Sequence, residues 1–147
     1  MEVFQQFDIP KEYIEFELLE SISMDNSDKL IKVVDTIHKA GFRCALDDFG
    51  SGYSSMSVLA RVPIDIIKLD RSLFQNPYRD IDKFLIVDGL LDILHHFPVQ
   101  IVAEGVEDET VAEHMRQDGC DMIQGFYYYR PMPMDEFQRL IAEQGEC

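Results

Sequence analysis

Phe42-Arg43-Cys44-Ala45-Leu46-Asp47-Asp48-Phe49-Gly50-Ser51-Gly52 reads as a short apolar strand that stops at two adjacent carboxylates and a glycine-containing turn. An apolar run of this length bounded by turn residues suits a buried strand. Similar runs stand at Tyr13–Leu18, Ile64–Leu69, Val99–Ala103 and, briefly, Met122–Ile123. Helical periods separate them. Leu30, Val33, Val34 and Ile37 keep i, i+3, i+4, i+7 spacing, with Asn26 or Ser27 to cap the start and Gly41 to close the end. A second helix is expected from about Ile81 to His96, with Phe84, Val87, Leu91 and Leu94 on one stripe. A third covers about Glu107–Gln117 and stops at Gly119. A last one follows Pro131 and Pro133 and is expected to pack through Phe137, Leu140 and Ile141. A short helix near Ser54–Ala60 completes the set.

Strands alternating with helices at this spacing imply right-handed βαβ units and a parallel sheet. An open doubly wound sheet and a (β/α) barrel both meet that description. The open sheet usually carries a glycine-rich phosphate loop after its first strand. Gly50 and Gly52 form a GxG, but they follow two aspartates and lack the third glycine of a dinucleotide loop. The barrel has a more specific support, because each strand ends in a polar residue: Glu17, Asp47-Asp48, Lys68 with Asp70, Glu104 and Gln124. Side chains alternate along a strand. Glu17 therefore opposes Phe16 and Leu18, Asp47 opposes Leu46, and Glu104 opposes Ala103. Apolar residues face the helices and polar tips converge at the carboxyl ends, where barrel enzymes place their sites. A complete eight-stranded barrel takes ~250 residues. With five strands in 147 residues the α/β fold is either a smaller open fold or a barrel that lacks part of its N-terminal side.

At 147 residues the chain suits one domain. Its 28 acidic residues against 13 basic ones give a net charge of −15, a field that repels DNA. No run reaches the ~18–20 apolar residues of a membrane span, and the N-terminus lacks the features of a secretory signal. A cytoplasmic location is expected. Cys44, Cys120 and Cys147 are odd in number and without CxxC spacing, which argues against a disulfide framework or a zinc knuckle. Cys44 reads as a small core residue.

Asp47-Asp48 carries the strongest chemical signal. Adjacent ionised carboxylates repel, so burying both needs a cation or a raised pKa. A pair of metal ions ~3.5–4 Å apart supplies the charge. Hard oxygen donors favour Mg2+ or Mn2+, and no His/Cys cluster argues otherwise. Asp-Asp at one strand end also suits a turn and helix cap. Glu17 and Glu104 at equivalent strand ends favour the metal cradle. Lys68 and Asp70, two apart on one strand face, form either a salt bridge at the mouth or a lysine that orients water or a phosphate oxygen. Gln124-Gly125 and the run Phe126-Tyr127-Tyr128-Tyr129 offer an amide and rings to a base, or simply wall packing. His95 and His96 precede Pro98 and read as charges at a helix end.

Glu17-Leu18-Leu19-Glu20, the segment Asp47–Ser55, Lys68-Leu69-Asp70, Ala103-Glu104-Gly105-Val106-Glu107 and Gln124-Gly125 stand in the order found in the EAL-domain family. The chain resembles that family, whose members are cyclic di-GMP phosphodiesterases with a TIM-like barrel, from about Pro10 onward. The resemblance implies that Glu17 and Asp47 ligate a first metal and that Asp47, Asp48 and Glu104 surround a second. Glu104 or Lys68 assists deprotonation of the attacking water. Glu20 braces the Asp47–Ser55 loop, which in the family couples the metal site to dimerisation. Gln124 lines the site, and Asp70 and Glu107 support it. The implied reaction is Mg2+- or Mn2+-dependent hydrolysis of cyclic di-GMP to linear pGpG.

The family's namesake Glu-Ala-Leu strand and the following strand with a metal-binding asparagine have no counterpart in this sequence. By this resemblance residues 1–147 are expected to form the C-terminal portion of one such domain, an α/β partial TIM-like barrel of about the last five strands and their helices, inactive or weakly active alone. Its expected partners are cyclic di-GMP, an N-terminal segment or a sensor or GGDEF domain, and a second copy in a homodimer. The competing reading is a non-catalytic module that binds cyclic di-GMP or a protein.

Overall fold

The structure is a computed structural model and describes residues 6–7, 9–19, 27–51, 56–74 and 84–145. Among them, β1 (Glu15–Leu19), α1 (Ser27–Lys39), β2 (Arg43–Phe49), α2 (Met56–Leu59), β3 (Ile66–Leu69), α3 (Leu85–Leu94), β4 (Gln100–Ala103), α4 (Glu109–Gln117), β5 (Met122–Ile123) and α5 (Met134–Gln144) follow in order. The five strands form one sheet in the order β1-β2-β3-β4-β5, every neighbour parallel. No helix among the described residues is long and apolar enough to cross a membrane.

The two-residue period of the strands sorts the side chains as expected. Cys44, Leu46, Ile67, Leu69, Ile101 and Ala103 join one core with Leu30 and Val34 of α1, Val87, Leu91 and Leu94 of α3, and Val111, Ala112 and Met115 of α4. Ala45, Ile66 and Val102 are buried in a second cluster on the opposite face. The polar strand ends lie on that second face. Glu15 and Glu17 of β1 line the same open cleft as Met122 and Ile123 of β5. In a flat sheet, four strand spacings of ~4.8 Å would hold those two edge strands far apart. The sheet is therefore curled, with the second face concave. This is the α/β arc of a TIM-like barrel.

Helix ends follow their local chemistry. Asp108 caps α4 by accepting the Val111 N–H at 3.0 Å, a cap of the kind worth about 1 kcal/mol. Gly41 and Gly119 close α1 and α4 with φ of 84° and 83°, angles that disfavour any residue with a Cβ. At the amino ends of the strands, Asp65 Oδ2 accepts the Cys44 N–H at 2.7 Å while the Asp65 N–H donates to the Cys44 carbonyl at 3.0 Å. Asp121 repeats the device on Ile101 at the same two distances. Each aspartate thereby satisfies a strand-end N–H that the ladder leaves open.

Three expectations are corrected. Val33 is exposed rather than on the buried stripe of α1; Ile31 packs against the core beside Leu30 and Val34 instead. The apolar stripe of α5 does not pack into the core, since Phe137 and Ile141 are about half exposed and no residue of the helix is buried. Its period is right, but β5 offers only two residues for it to cover. The strand boundaries also shift, most at β2. That strand runs on to Phe49 because its pairing with β3 slips between Leu46 and Phe49. The start of the helix expected from Ile81 and the turn at Gly52–Ser55 lie outside the described residues.

Candidate active site at the carboxyl ends of the strands

The slip in β2 builds the centre of the site. Strict alternation would send Asp47 and Phe49 to one face and Asp48 to the other. Asp48 instead adopts φ = 57°, the only non-glycine with positive φ among the described residues. Aspartate tolerates this left-handed conformation better than most residues. The extra residue forms a β-bulge, so Asp47 keeps its place on the concave face while Phe49 turns back into the helix-side core. Asp47 Oδ1 accepts the Asp48 N–H at 3.0 Å, and the Asp48 carbonyl accepts the Ser51 N–H at 3.1 Å. Gly50 follows with φ = 96°, where a Cβ would stand 2.6 Å from the Leu73 side chain. The pair of aspartates and the glycine behind them thus make one tight turn.

Lys68 is the hub. It is the one buried charged residue among the described residues. Its Nζ lies 2.5 Å from Glu17 Oε1, 2.7 Å from Glu104 Oε1 and 3.5 Å from Asp47 Oδ1. Burial acts to lower its pKa, but the hydrogen bonds to Glu104 and Glu17 outweigh that and hold it above the ordinary lysine range. The ammonium is fixed. Glu104 is pushed above the usual carboxylate value by burial, partly offset by Lys68 and reinforced by Asp47. Asp48, exposed at the rim, is raised by what desolvation it has and then by the charges of Asp47 and Asp70.

The supporting residues divide. Gln124, Tyr128 and Tyr129 line the concave cleft of about 410 Å³ together with Glu17 and Lys68. Gly125 lets that loop sit against Val106, whose carbonyl oxygen would be 2.0 Å from an added Cβ. Asp70, which shares a strand face with Lys68 in the sequence, makes no salt bridge with it. Its carboxylate instead accepts the Ser72 N–H at 3.0 Å and caps the turn Arg71–Leu73. Glu107 pairs with Arg71 at 3.5 Å on the surface and ties the loops after β3 and β4 together. Glu20 lies outside the described residues. His95 and His96 sit at the end of α3, as expected. Phe126 stacks under the Arg130 guanidinium at 4.6 Å and is one of the residues around a separate cleft bounded by Phe137 and Leu140 of α5. Glu15 was not anticipated in the cleft, although its position two residues before Glu17 on the same face signalled it.

The donor set fits hard divalent ions. Glu17, Asp47 and Glu104 set three carboxylates against one ammonium, and Asp48 adds a fourth alongside. All donors are oxygen, which suits Mg2+ or Mn2+ rather than zinc. The oxygens are drawn onto Lys68. No three of these carboxylates bring oxygens within 4.8 Å of one another; among the described residues only Asp88, His114 and Asp118 form such a group.

Comparison with known proteins gives a consistent picture. The profile of the EAL domain matches residues 2–131. The chain is 33% identical over 138 residues to the cyclic di-GMP phosphodiesterase PdeR of Escherichia coli, covering 94% of this chain and 21% of PdeR. The EAL domain of Mycobacterium smegmatis DcpA superposes with a TM-score of 0.82 at 32% identity, covering 97% of this chain and 64% of that domain. The phosphodiesterase MucR of Pseudomonas aeruginosa, solved as a complex with c-di-GMP, superposes with a TM-score of 0.83 at 31% identity, covering 92% of this chain and 55% of that one. The chain therefore spans less than two-thirds of each solved relative and about a fifth of PdeR.

Proposed function

We propose that this chain, which belongs to the EAL domain family, supplies the C-terminal portion of a site that hydrolyses cyclic di-GMP to linear pGpG. The observation that carries the reading is the convergence of Glu17, Asp47 and Glu104 on the buried Lys68, at the carboxyl ends of parallel strands. Its support from relatives is that PdeR is a cyclic di-GMP phosphodiesterase and that MucR has been seen with c-di-GMP bound.

Glu17, Asp47, Asp48 and Glu104 would hold Mg2+ or Mn2+. When bound, such ions neutralise the phosphodiester and make water a better nucleophile. The chain's own groups do the rest. Opening the ring breaks one P–O3′ bond, forms a P–O bond from water and leaves a proton for the departing 3′ oxygen. Lys68, donating to Glu17 and Glu104, acts as a fixed positive charge toward a non-bridging phosphate oxygen. Glu104 accepts the water's proton, because Lys68 in this arrangement has no free lone pair. Gln124 and Tyr128 border the cleft where a guanine would stack or hydrogen-bond. Asp70 and Glu107 act at one remove, through the turn and the loop pairing that hold β3 and β4 in place.

Residues 1–147 alone are expected to turn over cyclic di-GMP weakly or not at all, since they span 64% and 55% of the two solved relatives and the family resemblance places further metal ligands on strands outside them. The test compares the 147-residue chain with the same chain joined to the N-terminal strands of an EAL domain. Hydrolysis with Mg2+ or Mn2+ that appears only in the joined protein, and is lost in Glu104→Gln, supports the reading. Calorimetric binding of cyclic di-GMP by the joined protein without any product would replace it with a receptor.

A further inference from the structure

Away from the strand ends, one imidazole nitrogen has two carboxylates on it. His114 Nε2 lies 2.7 Å from Asp88 Oδ1 and 3.0 Å from Asp118 Oδ2. Asp88 belongs to α3, His114 to α4, and Asp118 is the C-cap of α4. All three are half-buried. A ring nitrogen carries at most one hydrogen, and that hydrogen makes one straight bond. Ionised carboxylates bring none. Two carboxylate oxygens on one Nε2 therefore compete for a single proton while repelling each other.

A cation in place of that proton removes the conflict, because all three donors can bind it at once. The three ligand atoms lie within 4.8 Å of one another, the span expected around one ion. The ring plane is also set in advance. Phe84 stacks on His114 with centroids 3.6 Å apart and 13° between planes. The cluster opens on a cavity of about 390 Å³ whose wall includes Asp92, His95 and Gln117, so water can complete the coordination. His95 Nε2 is itself 3.3 Å from the Gly119 carbonyl.

The geometry points to a second divalent-cation site at Asp88, His114 and Asp118, suited to a borderline ion such as Zn2+, that clamps α3 to α4. One imidazole nitrogen with two carboxylate oxygens and an open position is a zinc-type donor set, whereas Mg2+ prefers oxygen alone. None of the three residues lines the strand-end cleft. The site is thus independent of the phosphodiesterase reading, and its expected effect is on stability.

The experiment titrates the full chain, free of tag and metal, with ZnCl2 in millimolar Mg2+ and follows heat and melting temperature. One equivalent of Zn2+ is expected to bind and raise the melting temperature by several degrees (on the order of a hundredfold excess over Kd suffices). Asp118→Asn, at a partly exposed side chain, is expected to weaken binding at least about tenfold, and His114→Gln to abolish it. Asp47→Asn is expected to leave it intact. Circular dichroism checks that each variant is folded. Co2+ substitution should give a weak visible spectrum without an intense thiolate band. No zinc uptake by the Mg2+-saturated chain would mean a plain ion pair and overturn the site. So would equal uptake by the Asp118 and His114 variants, or a thiolate band.

Discussion

Lys68 Nζ lies 2.7 Å from Glu104 Oε1, so the ends of β3 and β4 are joined on the concave face by an ion pair between a buried ammonium and a half-buried carboxylate. Glu17 and Asp47 complete the ring around the same ammonium. Removing the lysine leaves three carboxylates facing one another without a counter-charge.

Lys68→Met is therefore expected to destabilise the chain by roughly 1–3 kcal/mol in urea unfolding. The value sits below the usual cost of breaking a buried pair because Glu17 is half exposed. Millimolar Mg2+ should restore part of the loss in the variant and do less for the parent chain.

Asp48 offers a cleaner separation of backbone from charge. Its φ of 57° costs a residue with a Cβ about 1 kcal/mol or more. Asp48→Ala should lower stability by about that amount relative to Asp48→Gly, which accepts the angle freely. Both remove the carboxylate, so both should weaken Mg2+ binding equally. Thermal melts with and without Mg2+ measure the two effects.

Gly125→Ala should be far more damaging than its size suggests. An added Cβ would meet the Val106 carbonyl oxygen at 2.0 Å and its nitrogen at 2.4 Å. Val106 also hydrogen-bonds to Gln124 and Tyr127, so the loop cannot withdraw without losing those bonds. A loss of about 3 kcal/mol is expected, with Gln124 displaced from the cleft. Chemical denaturation and the amide spectrum of Gln124 report each part.

Two thiols make the chain sensitive to alkali. Desolvation pushes the Cys44 thiol up to about 11 and Cys120 up to about 12, from an ordinary 9.0, with Asp65 and Asp121 adding to the respective shifts. A folded pKa above the unfolded one means that the unfolded chain releases its proton first. The contribution is thus fully present below about pH 9 and is lost as pH rises through 11. Urea midpoints between pH 8 and 11 should fall, and Cys44→Ala should flatten part of that slope. At pH 8, iodoacetamide should leave Cys44 and Cys120 unmodified until urea is added.

Much of this architecture was legible in the linear chain because it depends on local period. Alternation along β1, β2 and β4 already told Leu18 from Glu17, Leu46 from Asp47 and Ala103 from Glu104. Gly41 and Gly119 marked helix ends by chemistry that acts within a turn. Glu17, Asp47, Lys68 and Glu104 could be named as one group for the same reason, since each falls toward the carboxyl end of an apolar run.

Partners across the sheet were not legible. Lys68 and Asp70 are neighbours in sequence, yet Lys68 bonds to Glu17, 51 positions away, and Asp70 turns to its own backbone. The bulge at Asp48 exists because β2 pairs with β3 in a particular register. Asp88 meets His114 only once α3 and α4 have packed side by side. Period sets which face a side chain takes, whereas register and helix packing set what stands opposite it. The chain alone thus determined that carboxylates would crowd the ends of parallel strands; the tertiary structure decided that one buried ammonium would collect them.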